Sequence, residues 1–353
     1  MQVGMLHLFE NPAGRTEQEC VREQLNIMCA AEDLGFDHIW PAEHHFTEYG
    51  YLGSPMVGLA YVAARTKRIK LAQGIVVLPF HNPIRVAEDI ALLDLMSDGR
   101  VMFGVGRGYQ PGEYKGFNLD QSKSREMFDE GIRLIVDCWT KESVTFKGKY
   151  YQCEDICVRP KPVQRPHPPV YMAVLSPDTW TLAGRYGHNV LTSCAFGQSE
   201  ESLAAGVKEY RRARREAGHD PAAGRVAVLM QIYVGATMED ALRDYEPAVM
   251  WYYRTIAKYV AAKGQVVSTY EAYQGARELA SSADFESLRR GPGMAVGDAH
   301  TVAEKIAGIR ERVGFDDLLC WTRIGGLAES KVTRAMDLMS AKVIPQVRHA
   351  KAA

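Results

Sequence analysis

Eight short apolar segments alternate with longer segments of helical period along this chain, and this alternation constrains the fold more than any other feature. Between the apolar segments, apolar residues recur at the spacing of an amphipathic helix. Strands that alternate with helices pair in parallel, because each helix returns the chain to the same end of the sheet. The predicted strands cover residues 3–9, 36–41, 69–78, 101–105, 170–174, 188–193, 226–234 and 318–321. The predicted helices cover residues 17–34, 55–65, 84–96, 122–139, 177–186, 199–218, 238–262, 301–313 and 329–343.

Two segments interrupt this rhythm, at about residues 140–168 and 263–293. The first is rich in Pro, Lys and aromatic residues, and Lys147-Gly148-Lys149 predicts a hairpin within it. The second contains scattered glycines and Arg289-Arg290-Gly291-Pro292-Gly293, which predicts a long mobile excursion. Excursions of this length in compact domains are commonly lids over a site.

Eight strand–helix units with two insertions predict one (β/α)8 TIM barrel, spanning residues 1–353 as a single domain. A doubly wound open sheet is the alternative. It would require a glycine fingerprint after a strand, and in Gly104-Val105-Gly106-Arg107-Gly108-Tyr109 the third required glycine is replaced by Tyr109. The sequence therefore favours the barrel.

Composition excludes several classes of function. The formal net charge is −1 with 46% hydrophobic residues, so no overall charge attracts nucleic acid or a membrane. No apolar run reaches the length of a membrane span, and the N-terminus lacks a signal-peptide pattern. The seven cysteines are scattered without a zinc-ligand spacing. We expect a cytoplasmic protein with free thiols, no metal, and neither nucleic acid nor membrane as a partner.

In a barrel, chemistry is located where strands end and the following loops begin. The second predicted strand ends in Trp40-Pro41-Ala42-Glu43-His44-His45. Adjacent side chains on extended backbone point to opposite sides, so the two histidines are poorly placed to chelate one metal. One of them can face the barrel mouth as an acid or base near neutral pH, whereas the alternative is a buried polar cap.

Four residues at other strand ends and helix starts suit an anion. Arg107 lies between glycines, and Arg125 lies early in the next helix. Ser176 and Thr179 flank the start of a helix, where they either cap it or join its N-terminus in binding a phosphate. Each residue has an ordinary structural explanation alone, but one phosphate would use all four.

Further residues at the predicted mouth have weaker signals. Gly74, before Ile75, indicates either backbone close to a flat ligand or a strand kink. Four aromatic residues are candidates for an apolar substrate pocket, although such residues commonly belong to the core: Tyr109, Phe117, Trp251 and Trp321.

At these residues the chain resembles the bacterial luciferase-like monooxygenase family, in particular its alkanal monooxygenase α-chain type. The similarity is densest in the stretch Glu43-His44-His45-Phe46-Thr47-Glu48 and extends in weaker form over nearly the whole chain. It is also carried by Leu34-Gly35-Phe36-Asp37, Val77-Leu78-Pro79, Asn82-Pro83-Ile84-Arg85 and Ser97-Asp98-Gly99-Arg100.

The resemblance implies a TIM barrel that binds reduced FMN, reacts with O2 to a flavin C4a-(hydro)peroxide and inserts one oxygen atom into a small or medium organic substrate. It assigns catalysis to His44 with His45 in support, and places residues 263–293 on a mobile lid. Gly74-Ile75 matches a non-prolyl cis peptide beneath the flavin ring. The positions that match cofactor contacts are Gly74, Ile75, Gly106, Arg107, Arg125, Leu175, Ser176 and Thr179.

Three departures put the luciferase reaction itself in doubt. Gly106 replaces a cysteine near the flavin, Leu175 replaces an acidic residue beside the phosphate, and Tyr109-Gln110 changes the pair of residues after Gly108. We therefore expect an oxygenase of this family without predicting luminescence. A deazaflavin-dependent oxidoreductase and a non-catalytic flavin-binding subunit are the alternatives. Because no nicotinamide fingerprint is present, we expect a separate flavin reductase, and the family habit implies a homodimer.

Overall fold

The computed structural model describes residues 1–12, 14–195 and 198–349. Its twelve described strands are β1 (Gln2–His7), β2 (His38–Pro41), β3 (Lys70–Ala72), β4 (Val76–Val77), β5 (Val101–Gly106), β6 (Val144–Lys147), β7 (Gln152–Ile156), β8 (Val170–Ala173), β9 (Asn189–Ser193), β10 (Val226–Val234), β11 (Met294–Gly297) and β12 (Asp317–Trp321).

The described residues also form thirteen α-helices: α1 (Glu17–Asp33), α2 (Pro55–Ala63), α3 (Pro83–Met96), α4 (Pro111–Gly116), α5 (Ser124–Thr140), α6 (Pro177–Tyr186), α7 (Glu200–Glu216), α8 (Met238–Ile256), α9 (Ala276–Ser281), α10 (Phe285–Arg290), α11 (Ala299–Val313), α12 (Glu329–Leu338) and α13 (Ile344–His349). Short 3-10 turns cover Leu78–Phe80, Gln121–Lys123 and Ser268–Tyr273, and a π-helical turn covers Met339–Val343.

Eight of these strands close into a parallel barrel in the order β1-β2-β3-β5-β8-β9-β10-β12, and β12 pairs back with β1. The predicted TIM barrel is therefore confirmed. Its strands read as continuous apolar runs because both faces are covered: every residue of β5 is buried. Packing in the interior is close enough to require Gly104, since a Cβ atom there would lie 1.7 Å from the Gln73 carbonyl oxygen.

Local signals set many of the boundaries. Helix α1 begins at a capping box in which Thr16 and Glu19 each bond the other's backbone N–H. Helix α6 ends at Gly187, which adopts a left-handed conformation. The hairpin predicted around Lys147-Gly148-Lys149 is confirmed as the antiparallel pair β6–β7.

The structure differs from the sequence-based prediction in several places. The strand predicted over 69–78 is divided into β3 and β4, because the chain turns at a cis peptide between Gly74 and Ile75. The helix predicted over 238–262 ends at Ile256, and the chain beyond it turns so that Lys258 and Tyr259 donate to Glu48. Strand β11, which extends the sheet beside β10, and helix α4 have no counterpart in the predictions.

Residues 263–293 are also more ordered than a simple loop. They contain the 3-10 turn Ser268–Tyr273 and helices α9 and α10, and they lie at the carboxyl end of the barrel. None of the described helices is long and apolar enough to cross a membrane.

Candidate active site

A cavity of about 240 Å³ lies at the carboxyl ends of the barrel strands. Residues from β1, β2, β5, β8, β9, β10 and β12 and their following loops reach it, and residues from α8 and the 263–293 segment cover it. Of the sequence-predicted site residues, those that line it are His44, Gly74, Ile75, Arg107, Tyr109, Leu175, Ser176, Thr179 and Trp321. Those that do not are His45, Gly106, Phe117, Arg125 and Trp251.

His44 is held by a carboxylate. Its Nδ1 atom lies 3.0 Å from Oε1 of Glu113, whose side chain is only 2% exposed. The same oxygen accepts a hydrogen bond of 2.9 Å from the backbone N–H of His45. Because a carboxylate only accepts, this pair places the proton of neutral His44 on Nδ1 and leaves Nε2 as the nitrogen that can act in the cavity.

Two further groups lie near Nδ1 of His44: the Gln110 amide nitrogen at 3.0 Å and the Tyr49 hydroxyl at 3.3 Å. Because Nδ1 donates to Glu113, the Gln110 amide nitrogen, itself a donor, is a neighbour of Nδ1 and not its hydrogen-bond partner. Tyr49 also contacts the hydroxyl of Tyr109, 3.3 Å away. Glu113 and Gln110 belong to the region of α4, which was not predicted. The sequence signal that could have indicated it is Pro111 followed by Glu113, a helix start with an acidic first turn.

His45 is directed away from the cavity into a separate polar cluster. Its Nε2 lies 3.0 Å from Oε1 of buried Glu43, and Nε2 of His81 lies 2.7 Å from the same oxygen. Burial opposes ionisation of Glu43, but hydrogen bonds from these histidines and from the Val77 N–H outweigh it and hold the pKa of Glu43 below its ordinary value. Burial acts to lower the pKa of His81, yet its bond to Glu43 raises it. This cluster fixes the loop that carries His44.

The candidate anion cradle consists of Arg107 and the start of α6, which both line the cavity. Ser176 is the N-cap residue of α6, but its side chain makes no capping bond and instead lies 3.2 Å from the Thr179 hydroxyl. The hydroxyls therefore lie beside the positive end of the helix dipole, where a phosphate binds favourably. Thr192 and Ser193 add further hydroxyl groups to the lining.

Arg125 and Gly106 do not line the cavity. The Arg125 side chain is 44% exposed and lies 3.4 Å from the carboxylate of Asp178 in the first turn of α6. At Gly106, a Cβ atom would lie 2.3 Å from the Ile75 side chain, so the glycine allows Ile75 to pack there. The position that differs from the luciferases is thus explained by packing against the neighbouring strand end.

The peptide between Gly74 and Ile75 is cis and is not prolyl, as the family resemblance implied. Both residues line the cavity. They lie between β3 and β4, and β4 pairs with β5.

Aromatic side chains form another part of the cavity lining. Tyr109 and Trp321 line it as the sequence predicted. Phe117 instead packs on the outside of the His44 loop against His45, at a ring distance of 4.7 Å. Trp251 lies on a different face of α8 from the cavity-lining residues, because successive helical residues are rotated by about 100°.

Sequence reasoning missed four tyrosines that line the cavity: Tyr252, Tyr253, Tyr270 and Tyr273. Tyr252, Ile256 and Val260 recur every four residues and all line it, which is the helical spacing that could have indicated them.

Two tyrosines join residues 268–273 to the strand-end loops. The Arg107 guanidinium lies over the Tyr270 ring, 4.5 Å from its centre, and the Tyr270 hydroxyl donates to Ser124 at 2.9 Å. Tyr273 stacks on Tyr109 with ring centres 5.1 Å apart. Arg289 and Arg290, the basic residues of this segment, do not line the cavity; Arg289 pairs with Glu286.

No cluster of three or more His, Cys, Asp or Glu side chains in the described ranges could hold a metal ion. The chemically distinctive groups of the cavity lining are His44, which is paired with buried Glu113, and the candidate anion cradle of Arg107, Ser176 and Thr179.

Comparison with known proteins identifies the family of this chain. Residues 1–317 match the model of the family described as luciferase-like monooxygenase. The alkanal monooxygenase alpha chain of Photorhabdus luminescens is 31% identical over 220 residues, a match that spans 62% of this chain and 61% of the relative's length.

Two other proteins match over nearly their whole length. The oxygenase component of flavin-dependent trigonelline monooxygenase from Acinetobacter baylyi is 25% identical, with 98% of this chain and 95% of the relative covered. Among solved structures, the monooxygenase RslO1 from Streptomyces bottropensis superimposes with a TM-score of 0.87 at 27% identity, covering 98% of this chain and 99% of the other. The chain belongs to the luciferase-like monooxygenase family.

Proposed function

We propose that this protein is the oxygenase component of a two-component monooxygenase that uses reduced FMN and O2 to oxygenate a small or medium organic substrate. The observation that carries the proposal is one cavity whose lining combines the candidate anion cradle with His44, the partner of buried Glu113. A phosphorylated cofactor with a flat ring needs both of these features. The proposal extends the family assignment to a cofactor and a reaction class.

The cavity residues fit FMN. Arg107, Ser176, Thr179 and the α6 N-terminus would hold the phosphate, and Gly74–Ile75 would support the ring. The small residues Gly106 and Gly108 keep this wall close-packed, since a Cβ atom at either would meet a neighbouring side chain within 2.7 Å. Reduced flavin, once bound, supplies the electrons that activate O2.

The protein's own part is to orient, to exclude water and to manage one proton. His44 Nε2 is the acid or base, and Glu113 fixes its tautomer and orientation. Tyr270 and Tyr273 close the cavity, and we propose that residues 263–293 form a lid that opens for cofactor and substrate. Aldehyde oxidation, Baeyer–Villiger insertion and hydroxylation all use this same set of tasks.

Two partners are part of the proposal. A separate flavin reductase supplies the reduced cofactor, which the trigonelline relative's description as an oxygenase component supports. The homodimer interface is assigned to the packed pair α2 and α3, because these two helices together expose Val57, Tyr61, Leu92, Leu95 and Met96. The cytoplasm, where thiols stay reduced, suits the seven free cysteines.

The decisive test is to supply chemically reduced FMN and ¹⁸O2 with a panel of candidate substrates and to measure label in the product. Label incorporation with FMN and none with reduced deazaflavin supports the proposal. Turnover with the deazaflavin alone, without label, would establish the deazaflavin-dependent alternative. Turnover that is unchanged in His44→Ala would remove His44 from catalysis, and FMN binding without turnover of any substrate would favour the non-catalytic flavin-binding alternative.

A further inference from the structure

Tyr252 presents the cavity with a hydroxyl that the fold does not use. Its side chain is 1% exposed, it lines the cavity, and it forms no hydrogen bond with any residue that the structure describes. Buried hydroxyls are normally hydrogen-bonded, because leaving one unpaired costs free energy. An unpaired buried hydroxyl at a cavity wall is therefore available to a ligand.

The Tyr252 ring is held rigidly. It meets the Trp321 ring edge to face, with centres 4.5 Å apart at 85°. The Trp321 indole N–H in turn donates to Glu10 at 3.2 Å and to the Arg323 carbonyl at 3.1 Å. A rigid donor loses little conformational entropy when it binds a ligand, which makes it suited to recognition.

Tyr252 shares its end of the cavity with His44. Tyr49 bridges the two, with its ring centre 5.9 Å from that of Tyr252 and 4.8 Å from that of His44. The hydroxyl of Tyr252 remains a donor across the working pH range, because burial raises the pKa of Tyr252. A ligand oxygen bound there lies on the His44 side of the cavity.

The surrounding walls suit a ring. The lining includes two packed aromatic pairs, Tyr252 with Trp321 and Tyr109 with Tyr273, and ring compounds pack against such rings without freezing many rotatable bonds. A long flexible chain would lose more entropy in the same space.

We propose that Tyr252 is the substrate-recognition residue of this cavity, and that its hydroxyl donates to the carbonyl oxygen of a compact ring ketone. The inference rests on the proposed function in one respect, which is that the aromatic part of the cavity belongs to the substrate.

Calorimetric titration tests this without turnover, with the protein both free and saturated with oxidised FMN. The probes are 2-tetralone, the matching hydrocarbon tetralin and the linear aldehyde decanal. Tyr252→Phe removes only the hydroxyl, and Tyr233→Phe is the control because Tyr233 is a buried tyrosine outside the cavity lining that stacks on Tyr245. Thermal unfolding of each variant verifies that it is folded.

We expect wild type to bind 2-tetralone more tightly than tetralin or decanal. Tyr252→Phe should weaken 2-tetralone by about three- to tenfold, the effect of one neutral hydrogen bond. It should leave tetralin unchanged, and Tyr233→Phe should change neither probe. An equal loss for both ring probes, tighter binding of decanal, or no binding of 2-tetralone to wild type would overturn the proposal.

The two proposals fail separately in this experiment. Absence of FMN binding with the 2-tetralone effect intact would count against the proposed function alone. Normal FMN binding with no effect of Tyr252→Phe would count against this recognition role alone.

Discussion

The Nδ1 atom of His44 lies 3.0 Å from the buried carboxylate of Glu113, which joins the loop after β2 to the first turn of α4. Neither residue alone indicates catalysis, since a buried histidine or glutamate commonly satisfies a local polar group. Paired at the wall of a cavity, they form the acid–base unit that we propose for the site. The contact also separates His44 from His45, which is bound to Glu43 outside the cavity.

Glu113→Gln should lower kcat, because a neutral amide does not stabilise a protonated His44, and its N–H2 group cannot accept the Nδ1 proton if it replaces the oxygen. We expect a loss of at least about tenfold, and about 10²- to 10⁴-fold for His44→Ala. Steady-state kinetics give kcat, and ¹⁵N NMR of the histidine rings reports the tautomer without turnover. The control is His45→Gln, which should change kcat less than His44→Gln. Full activity of Glu113→Gln with an altered tautomer would contradict the assigned role.

Arg107→Ala should weaken FMN binding by roughly 1–3 kcal/mol, a 5- to 150-fold increase in Kd, through loss of a charge-assisted contact. Arg125→Ala is the matched control, because its exposed pair with Asp178 should contribute under about 1 kcal/mol. Fluorescence titration of FMN measures both. Equal effects of the two substitutions would place the phosphate away from the cavity lining.

The lid proposal predicts protease sensitivity within residues 263–293. Tyr270→Ala removes the ring beneath Arg107 and the bond to Ser124. If losing these contacts destabilises the closed form of the segment by about 1–2 kcal/mol, cleavage within it should become roughly 5- to 30-fold faster. Timed proteolysis with mass spectrometry measures this, Tyr150→Ala on the distant hairpin is the control, and FMN should slow cleavage of wild type. Cleavage that begins equally elsewhere would argue against a lid.

Arg323→Met should lower the free energy of unfolding by about 3–5 kcal/mol, the usual effect of breaking a buried ion pair. The Arg323 side chain is fully buried and reaches Glu23 at 3.1 Å and the backbone carbonyl of Glu10 at 3.2 Å. Arg212→Met is the control, since its pairs with Glu209 and Glu216 are exposed and should contribute about 0–1 kcal/mol. Urea unfolding provides the comparison, and similar losses in the two variants would refute a buried role.

Glu10 predicts a pH dependence of stability. Burial raises the pKa of Glu10 from 4.5 to about 7, although Arg323 acts against this. The unfolded chain ionises Glu10 first as pH rises, so this group's stabilising effect is complete below pH 4.5 and is lost by about pH 7. Wild type should therefore lose stability relative to Glu10→Gln over that range. Calorimetry gives the Tm of wild type and of Glu10→Gln from about pH 4.5 to 8. A Tm difference between the two proteins that stays constant with pH would show that the pKa of Glu10 is not perturbed.

The sequence by itself determined the barrel and half of the site. Alternating apolar and helical segments require parallel strands, and the carboxyl ends of parallel strands meet at one rim of a barrel. The sequence alone therefore groups His44, Arg107, Ser176 and Trp321 at that rim. The resemblance added the Gly74–Ile75 cis peptide, which is present.

Only the tertiary structure decided which side chains share the cavity. His44 and His45 are adjacent in sequence, and the partners Glu113 and Glu43, supplied by different loops, determine which one faces inward. Tyr252 lines the cavity and its neighbour Trp251 does not, because the packing of α8 against the barrel determines which face of the helix points to the cavity. Tyr270 and Tyr273 come from an insertion with no periodic pattern, so their places depend on long-range contacts with Arg107 and Tyr109 that no local sequence signal encodes.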